Sequence, residues 1–465
     1  IYTIEEYDEK IRQFVSNGQA NIENKEYELT LLQRNLVKKA GPYALTRFIT
    51  ESDENKETLR WLMGNLDNLR LYVFGGTPAG GSYYNSLTQL SRLYNEYSED
   101  FKISTPIEND LCPEGMTRGD LYKKMAITLS LTHSQRVSLW MHTGHPKNQS
   151  DALSRYAIYK YMYENERLKT NLNGNWDITK WFENLEVEEM RFVMNNSIDD
   201  EEILWLNTYV QDKLDKHKGS NYLTPHPYMA YVWPNYTSQV YYDNERYFNE
   251  LFSITRKSEN SGIELVSESG EVVVGKVGLF DSRFTIPGGK KITSYTFQVS
   301  RGTSNKTDVL SKVWMNFRNK FNTGAVCGGI SKTGTNIRAT HGIPATVIGQ
   351  PGHAAILYYT QDAQGRGVWN IDNDVSGWTL SEKGERMLLG WGNASYSKGY
   401  SVVYMALAQE VINDFPKFIE SEETLMLADS YSVDLKDNPD KQKADLAKQE
   451  EIYRESLEIQ PININ

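Results

Sequence analysis

The stretch "GAVCGGISKTGTNIRATHGIPATVIGQPGHAAILYY" (residues 324–359) contains one of the only two cysteines in this 465-residue chain. After Cys327, small and apolar residues recur at helical spacing and predict one helical face, formed by Ile330, Gly334, Ile337 and His341. Gly342 and Pro344 then end the run, as glycine and proline commonly do after a helix. The pattern therefore predicts a helix whose first turn carries Cys327.

A thiol at this position has surroundings that favour its ionised form. The unperturbed pKa of cysteine is about 8.5, so only a few per cent of such a thiol is thiolate at neutral pH. The free N–H groups and the positive dipole end of a helix start stabilise an anion. Gly328 and Gly329 each cost a helix about 1 kcal/mol, which indicates that a substrate or another backbone comes close here. Cys327 is therefore a candidate nucleophile, and the alternative is a buried, inert thiol.

A histidine and two carboxylates follow on predicted strands. His353 opens a strand after the tight turn "QPG", and "GVWNID" (367–372) forms the next strand, with Asn370, Asp372 and Asp374 on one face. If "QDAQGR" makes a hairpin, residue numbers of cross-strand neighbours have a constant sum, which is 725 for His353 with Asp372 and 727 for His353 with Asp374. Either register would put a carboxylate beside His353, where it could fix the imidazole tautomer.

These residues, in this order, resemble the core of the transglutaminase-like superfamily. The resemblance rests on V-C-G-G at 326–329, A-T-H-G-I-P-A at 339–345, the histidine at 353 and W-N-I-D at 369–372. It implies a papain-like triad with Cys327 as nucleophile, His353 as base and Asp372 as the orienting carboxylate. The family's W-x-x-D spacing favours Asp372 over Asp374. In three respects the chain differs from the family: Gly328 replaces the usual aromatic residue, the helix contains Gly334, and only 26 positions separate the cysteine from the histidine.

Four other residues are candidates for supporting roles. Gln350 could donate a hydrogen bond to an oxyanion, as could the backbone N–H of Cys327, and the alternative is that Gln350 is a turn residue. Gly328 leaves room for a substrate to approach. Asn370 or Asp374 could orient the histidine in place of Asp372.

Composition limits the possible classes of protein. Hydrophobic residues make up 39% and charged residues 24% of the chain, as in a folded globular protein. The net charge of -11 argues against a nucleic-acid-binding surface. No apolar run approaches the roughly 20 residues that span a bilayer, and the two cysteines form neither a disulfide framework nor a zinc-binding spacing.

The chain starts without Met or a signal-peptide pattern, so we expect a mature form or a piece of a longer protein. A Tyr-rich and Asn-rich composition is typical of exported bacterial proteins and predicts a secreted or cell-surface location.

The sequence pattern divides the chain into three predicted parts. Residues 1–239 predict a mainly helical accessory region, which begins with a capping box at Thr3 and Glu6 and should pack on the core. Residues 240–405 predict the catalytic core, with strands at 262–280 and 292–300 and a helix at 307–321. Residues 406–465 predict a C-terminal helical extension. The expected fold class is therefore α+β, a papain-like transglutaminase core of a helix plus antiparallel sheet with a large α-helical N-terminal region.

The predicted function is acyl transfer at amide bonds by a cysteine enzyme. Hydrolysis by a protease or amidase and crosslinking by a transglutaminase use the same residues, so the sequence leaves both open. Neither cofactor nor metal is implied, and the expected substrate is a protein, a peptide, or a cell-wall component or glycoprotein.

Two alternatives from other classes stay open. One is a catalytically silent adhesion module on the same scaffold, whose aromatic-rich helical half would bind a glycan or a protein. The other is a metal-dependent hydrolase that uses His142 and His145, although no third ligand stands at a defined offset from them.

Overall fold

The computed structural model has an α+β fold. The residues that it describes are 2–134, 150–172, 175–196, 198, 200, 203–204, 206–208, 211, 252–256, 263–267, 272–274, 285–286, 290–291, 327–350, 353–361, 365–372, 389–390, 414–431 and 438–461. The two predicted domain boundaries, at 239/240 and 405/406, lie outside these ranges and stay predictions.

The first half of the chain is helical, as its periodicity predicts. Its helices are α1 (Ile4–Ser16), α2 (Lys25–Ala40), α3 (Pro42–Glu51), α4 (Asp53–Met63), α5 (Leu66–Phe74), α6 (Tyr83–Tyr97), α7 (Arg118–Thr132), α8 (Ala152–Glu164) and α9 (Val187–Met194). The capping box is confirmed, because the Glu6 N–H donates to Thr3 Oγ1 (3.2 Å) and the Thr3 N–H donates to Glu6 Oε2 (2.7 Å). The apolar faces of these helices meet in one core, whose buried members include Leu31, Phe48 and Leu69.

Short strands lie between α8 and residue 291. They are β1 (Lys169–Leu172), β2 (Asn175–Ile178), β3 (Phe252–Arg256), β4 (Ile263–Ser267), β5 (Val272–Val274), β6 (Thr285–Ile286) and β7 (Lys290–Lys291). Strands β4 and β5 pair antiparallel, which confirms the predicted strands within 262–280. The strand predicted at 292–300 and the helix predicted at 307–321 lie outside the described residues.

One helix and a four-stranded antiparallel sheet form the unit that carries the candidate site. The elements are α10 (Cys327–Thr340), β8 (Ala345–Gln350), β9 (His353–Gln361), β10 (Gly367–Asp372) and β11 (Leu389–Gly390), in the sheet order β10-β9-β8-β11. The helix packs on β8 and β9. The predicted helix and the three predicted strands of residues 324–372 are thus confirmed.

The end of α10 is a Schellman motif centred on Gly342. The N–H of Ile343 donates to the Arg338 carbonyl (3.0 Å), and the N–H of Gly342 donates to the Ala339 carbonyl (3.0 Å). Gly342 has φ +77°, the left-handed conformation that this motif needs. The chain therefore turns back along the helix and enters β8.

The predicted register between β9 and β10 is wrong. Asp372 pairs with Ile356, and every pair in this ladder sums to 728, in place of the predicted 725 or 727. Five residues, 362–366, lie between the paired residues Gln361 and Gly367. An odd number of loop residues gives an even sum of paired residue numbers, whereas the predicted sums were odd. Because side chains alternate along a strand, this one-residue difference moves each β10 residue to the other face relative to β9.

The helical first half packs directly on this unit, as predicted. Three of its side chains donate hydrogen bonds to carbonyl groups at the end of α10: Tyr159 to Ala339 (2.9 Å), Asn207 to Thr340 (2.8 Å) and Thr179 to His341 (2.9 Å). On the sheet, the ring of Phe192 in α9 meets the ring of Trp369 edge to face, with centroids 5.4 Å apart.

The C-terminal helices form a hairpin on the N-terminal helices. They are α11 (Phe415–Ser430) and α12 (Pro439–Ile459), and α11 packs on α1 and α2. Met426 joins the core of the helical half, and the Arg34 guanidinium donates to the Asp429 carbonyl (2.8 Å) near the end of α11. Within the described ranges, no helix is both long enough and apolar enough to cross a membrane.

Candidate functional site

Cys327 is the first residue of α10, the position that the sequence predicts for it. This helix has 14 residues, so its N–H groups and dipole favour a negative charge at the first turn. Gly328 follows within the same turn. The backbone therefore provides one of the two features that activate a cysteine thiol.

The contact between Arg338 and Tyr358 shows how the helix lies along the sheet. The Arg338 guanidinium lies 4.5 Å from the centre of the Tyr358 ring. Cys327 is eleven residues back along α10, about 16 Å at the helical rise. His353 is five residues back along β9, about 17 Å at the strand rise. The chain turns back after α10 into β8, and β9 runs antiparallel to β8, so α10 and β9 run in the same direction. Cys327 and His353 therefore both lie at the end of the unit away from this contact.

Gln350 is the register partner of His353. The two residues close the hairpin between β8 and β9, around the predicted two-residue turn. Directly opposed residues in an antiparallel pair have their Cβ atoms roughly 4.5–5.5 Å apart and share a face. Gln350 is therefore the predicted site residue that the backbone brings closest to His353.

Asp372 stands farther from His353 than the sequence predicts. It pairs with Ile356, three positions along β9 from His353, which is a separation of about 10 Å along the strand. The odd difference also places Asp372 on the other face of the sheet. Asn370, paired with Tyr358, shares the face of Asp372, and Asp374 lies outside the described residues.

The two faces of the sheet meet different helices. Tyr358 faces α10 through Arg338, whereas Trp369 faces α9 through Phe192. Alternation along β9 puts His353 on the face of Tyr359, the register partner of Trp369. The backbone thus brings Cys327 and His353 to one end of the unit but places His353 on the face away from α10.

Cys112 is a free thiol that is poorly suited to nucleophilic chemistry. It is half-buried in the loop before α7. Burial, and secondly the negative charge of Glu183, raise the pKa of Cys112 to about 11. Very little thiolate is present at neutral pH, so Cys112 serves as an internal comparison for Cys327.

A serine–histidine pair that the sequence analysis missed lies between α7 and α8. Ser150 Oγ is 2.7 Å from His133 Nε2, and Thr132 Oγ1 is 2.7 Å from His133 Nδ1. Thr132 donates its own proton to the Leu129 carbonyl (3.2 Å), so Nδ1–H is the donor and Nε2 the acceptor. Burial lowers the pKa of His133 to about 3, and such an imidazole is too weak a base for proton abstraction near neutral pH. The pair therefore fastens α7 to the start of α8.

Metal chemistry has no candidate site among the described residues, which contain no cluster of three or more His, Cys, Asp or Glu side chains able to hold an ion. His142 and His145 lie outside these ranges.

Comparison of the chain with protein-family models, with curated proteins and with solved structures found no match.

Proposed function

We propose that this protein is a cysteine acyl-transfer enzyme that acts on amide bonds through Cys327 and His353, on a papain-like core of the transglutaminase type. The observation that carries the proposal is that α10 and β9 both begin at the same end of one helix–sheet unit. The cysteine and the histidine follow one another along this chain in the same order as in the family that the sequence resembles. This order supports Cys327 as nucleophile and His353 as base.

The reaction needs only these two side chains and a substrate amide. The Cys327 thiolate attacks the carbonyl carbon and forms a C–S bond, and the protonated His353 gives its proton to the leaving nitrogen as the C–N bond breaks. Water or an amine then attacks the thioester and gives a proton to His353, and the thiolate leaves. Backbone N–H groups at the start of α10 would stabilise the oxyanion.

The proposed substrates are proteins, peptides or cell-wall glycoproteins outside the cell. The helical half packs on the same unit through Tyr159, Thr179 and Phe192, so it would shape the cleft that receives them. Whether the acyl group passes to water or to an amine depends on which of the two reaches the thioester.

A second candidate is a catalytically silent binding module on the same scaffold. One observation favours it: His353 lies on the face of β9 away from α10, whereas a base must come within hydrogen-bond reach of the thiol.

Turnover of glutamine-containing peptides distinguishes the candidates. We expect ammonia release, with or without incorporation of a labelled amine, and loss of both in Cys327→Ala. The matched control is Cys112→Ala, which should keep full activity. Turnover that survives Cys327→Ala would exclude the proposed enzyme, and binding of the same peptides without turnover by the unaltered protein would favour the silent module.

A further inference from the structure

A buried carboxyl group without a donor lies where the C-terminal hairpin meets the helical half. Glu423 of α11 is 2% exposed. Neither of its oxygens accepts a hydrogen bond from any residue in the described ranges. A carboxylate in such a place would lose its hydration with no compensation, which is strongly unfavourable.

The neighbour of Glu423 is a second buried carboxyl group, which is paired with an arginine. Glu28 of α2 is 1% exposed, and its two oxygens accept hydrogen bonds from Nε and Nη2 of Arg70, both at 2.5 Å. This bidentate pair is the strong geometry between arginine and a carboxylate. Arg70 therefore balances the charge of Glu28, and Glu423 forms no ion pair of its own with any residue that the structure describes.

Two carboxyl groups in contact form a hydrogen bond only if one of them carries a proton. Glu28 is tied to Arg70, so Glu423 is the group that holds it. We propose that the hairpin of α11 and α12 is docked by a proton shared between Glu423 and Glu28, and that it loosens from the helical half as the pH rises.

The groups around the pair agree with this assignment. The titratable or charged groups that face it or its immediate neighbours are Tyr27 of α2, Asp67 and Arg70 of α5, Glu420 of α11, Tyr431 after α11 and Glu455 of α12. Only Arg70 among them is a cation. Burial first, and then the hydrogen bond and charge of Glu28, raise the pKa of Glu423.

The direction of the pH effect follows from the raised pKa. The docked state binds the proton more tightly than the undocked state, in which Glu423 has an ordinary pKa near 4.3. The stabilisation is therefore complete below about pH 4.3 and is lost progressively as the pH rises through the neutral range toward the raised value.

Infrared spectroscopy and thermal unfolding of the whole chain test the proposal together. At about pH 7.5 we expect C=O stretching absorption from protonated carboxyl groups. Burial raises the pKa of Glu189 in α9 to about 8, so Glu189 contributes part of this absorption, and Glu423→Gln should remove the part that Glu423 contributes. The unfolding midpoint of the unaltered protein should fall between about pH 6 and about pH 9, and it should fall less in Glu423→Gln, whose amide N–H donates to Glu28 at every pH.

Glu458→Gln is the matched control, because it removes the same group from an exposed position of α12 in the same hairpin, away from the groups that face the pair. It should keep both the absorption and the pH slope of the unaltered protein. Equal absorption by protonated carboxyl groups in the unaltered protein and in Glu423→Gln would overturn the proposal. Absence of this absorption from the unaltered protein at about pH 7.5 would overturn it even if Glu423→Gln failed to fold. Equal pH slopes in the unaltered protein and in Glu423→Gln would also overturn it.

Discussion

At the scale of single residues, Gly342 determines how α10 passes into β8. Its φ of +77° is unfavourable for any residue with a Cβ, and a Cβ added there would lie 3.2 Å from Phe182 Cδ2. We expect Gly342→Ala to lower the free energy of unfolding by about 1–2 kcal/mol for the backbone, with a further loss from crowding. Urea denaturation measures this loss.

Gly18→Ala is the control for the backbone contribution. Gly18 has φ +67°, and a Cβ added there meets nothing within 4 Å. The difference between the two variants isolates the crowding against Phe182. Equal losses would mean that Gly342 is required for its conformation alone.

Residue types predicted the local features of the site but not the buried polar pairs. Cys327 at a helix start and Gly342 past its end follow from spacing and from the conformational freedom of glycine. The contact of Glu423 with Glu28 joins residues almost 400 positions apart. No local pattern in the sequence reports such a contact, because it arises only when helices pack.

At the scale of elements, the registers of β9 with β8 and with β10 decide which side chains are placed to orient His353. The ladder of β8 and β9 brings Gln350 opposite His353, whereas the ladder of β9 and β10 leaves Asp372 about 10 Å along the strand from His353. If His353 is the catalytic base, we expect Gln350→Ala to slow turnover roughly 10- to 100-fold, the range seen when a partner that orients a histidine is removed. Asp372→Asn should have a smaller effect, and peptide turnover measures both.

Gln361→Ala is the matched control for the amide. Gln361 lies at the far end of β9, where it donates to Asn184 Oδ1 (3.2 Å). Its loss should leave turnover unchanged. A larger loss in Asp372→Asn than in Gln350→Ala would restore the roles implied by the family resemblance and contradict the register argument.

The sequence predicted the strands themselves but not how two of them align. Alternating and β-branched residues mark β8, β9 and β10. The loop at 362–366 contains an odd number of residues, with Gly365 at φ +77°, and nothing in its composition excluded an even number. The sequence therefore did not determine whether this loop has an odd or an even number of residues. The face of each β10 side chain relative to β9 depends on that number.

At the scale of the whole molecule, the helical half and the helix–sheet unit are joined by buried hydrogen bonds. The Tyr159 hydroxyl donates to the Ala339 carbonyl (2.9 Å) and accepts from Asn196 Nδ2 (2.8 Å). We expect Tyr159→Phe to lower the free energy of unfolding by about 1–3 kcal/mol, because two buried polar groups lose a partner. Chemical denaturation measures the loss.

Tyr161→Phe provides the comparison, since Tyr161 is on the same helix and half exposed. It should change the free energy of unfolding by less than about 0.5 kcal/mol. If Tyr159→Phe were equally neutral, the hydrogen bond to α10 would not contribute to holding the two parts together.

The general architecture could be predicted better than its assembly. Amphipathic helices need a partner for their apolar faces, so packing of the helical half on the core was predictable. The return of α11 to α1 and α2 was not, because the apolar side chains of a terminal helix do not specify which surface will cover them.

The central claim, a reactive Cys327 paired with His353, is tested most directly by the pH dependence of thiol alkylation with mass mapping. The account predicts that Cys327 reacts with iodoacetamide as a thiolate well below pH 7, while Cys112, with its pKa near 11, reacts slowly throughout. We expect His353→Ala to move the titration of Cys327 upward toward about 8.5, while the helix start still favours the thiolate. A Cys327 that titrates near that value in the unaltered protein, with no change in His353→Ala, would contradict the account.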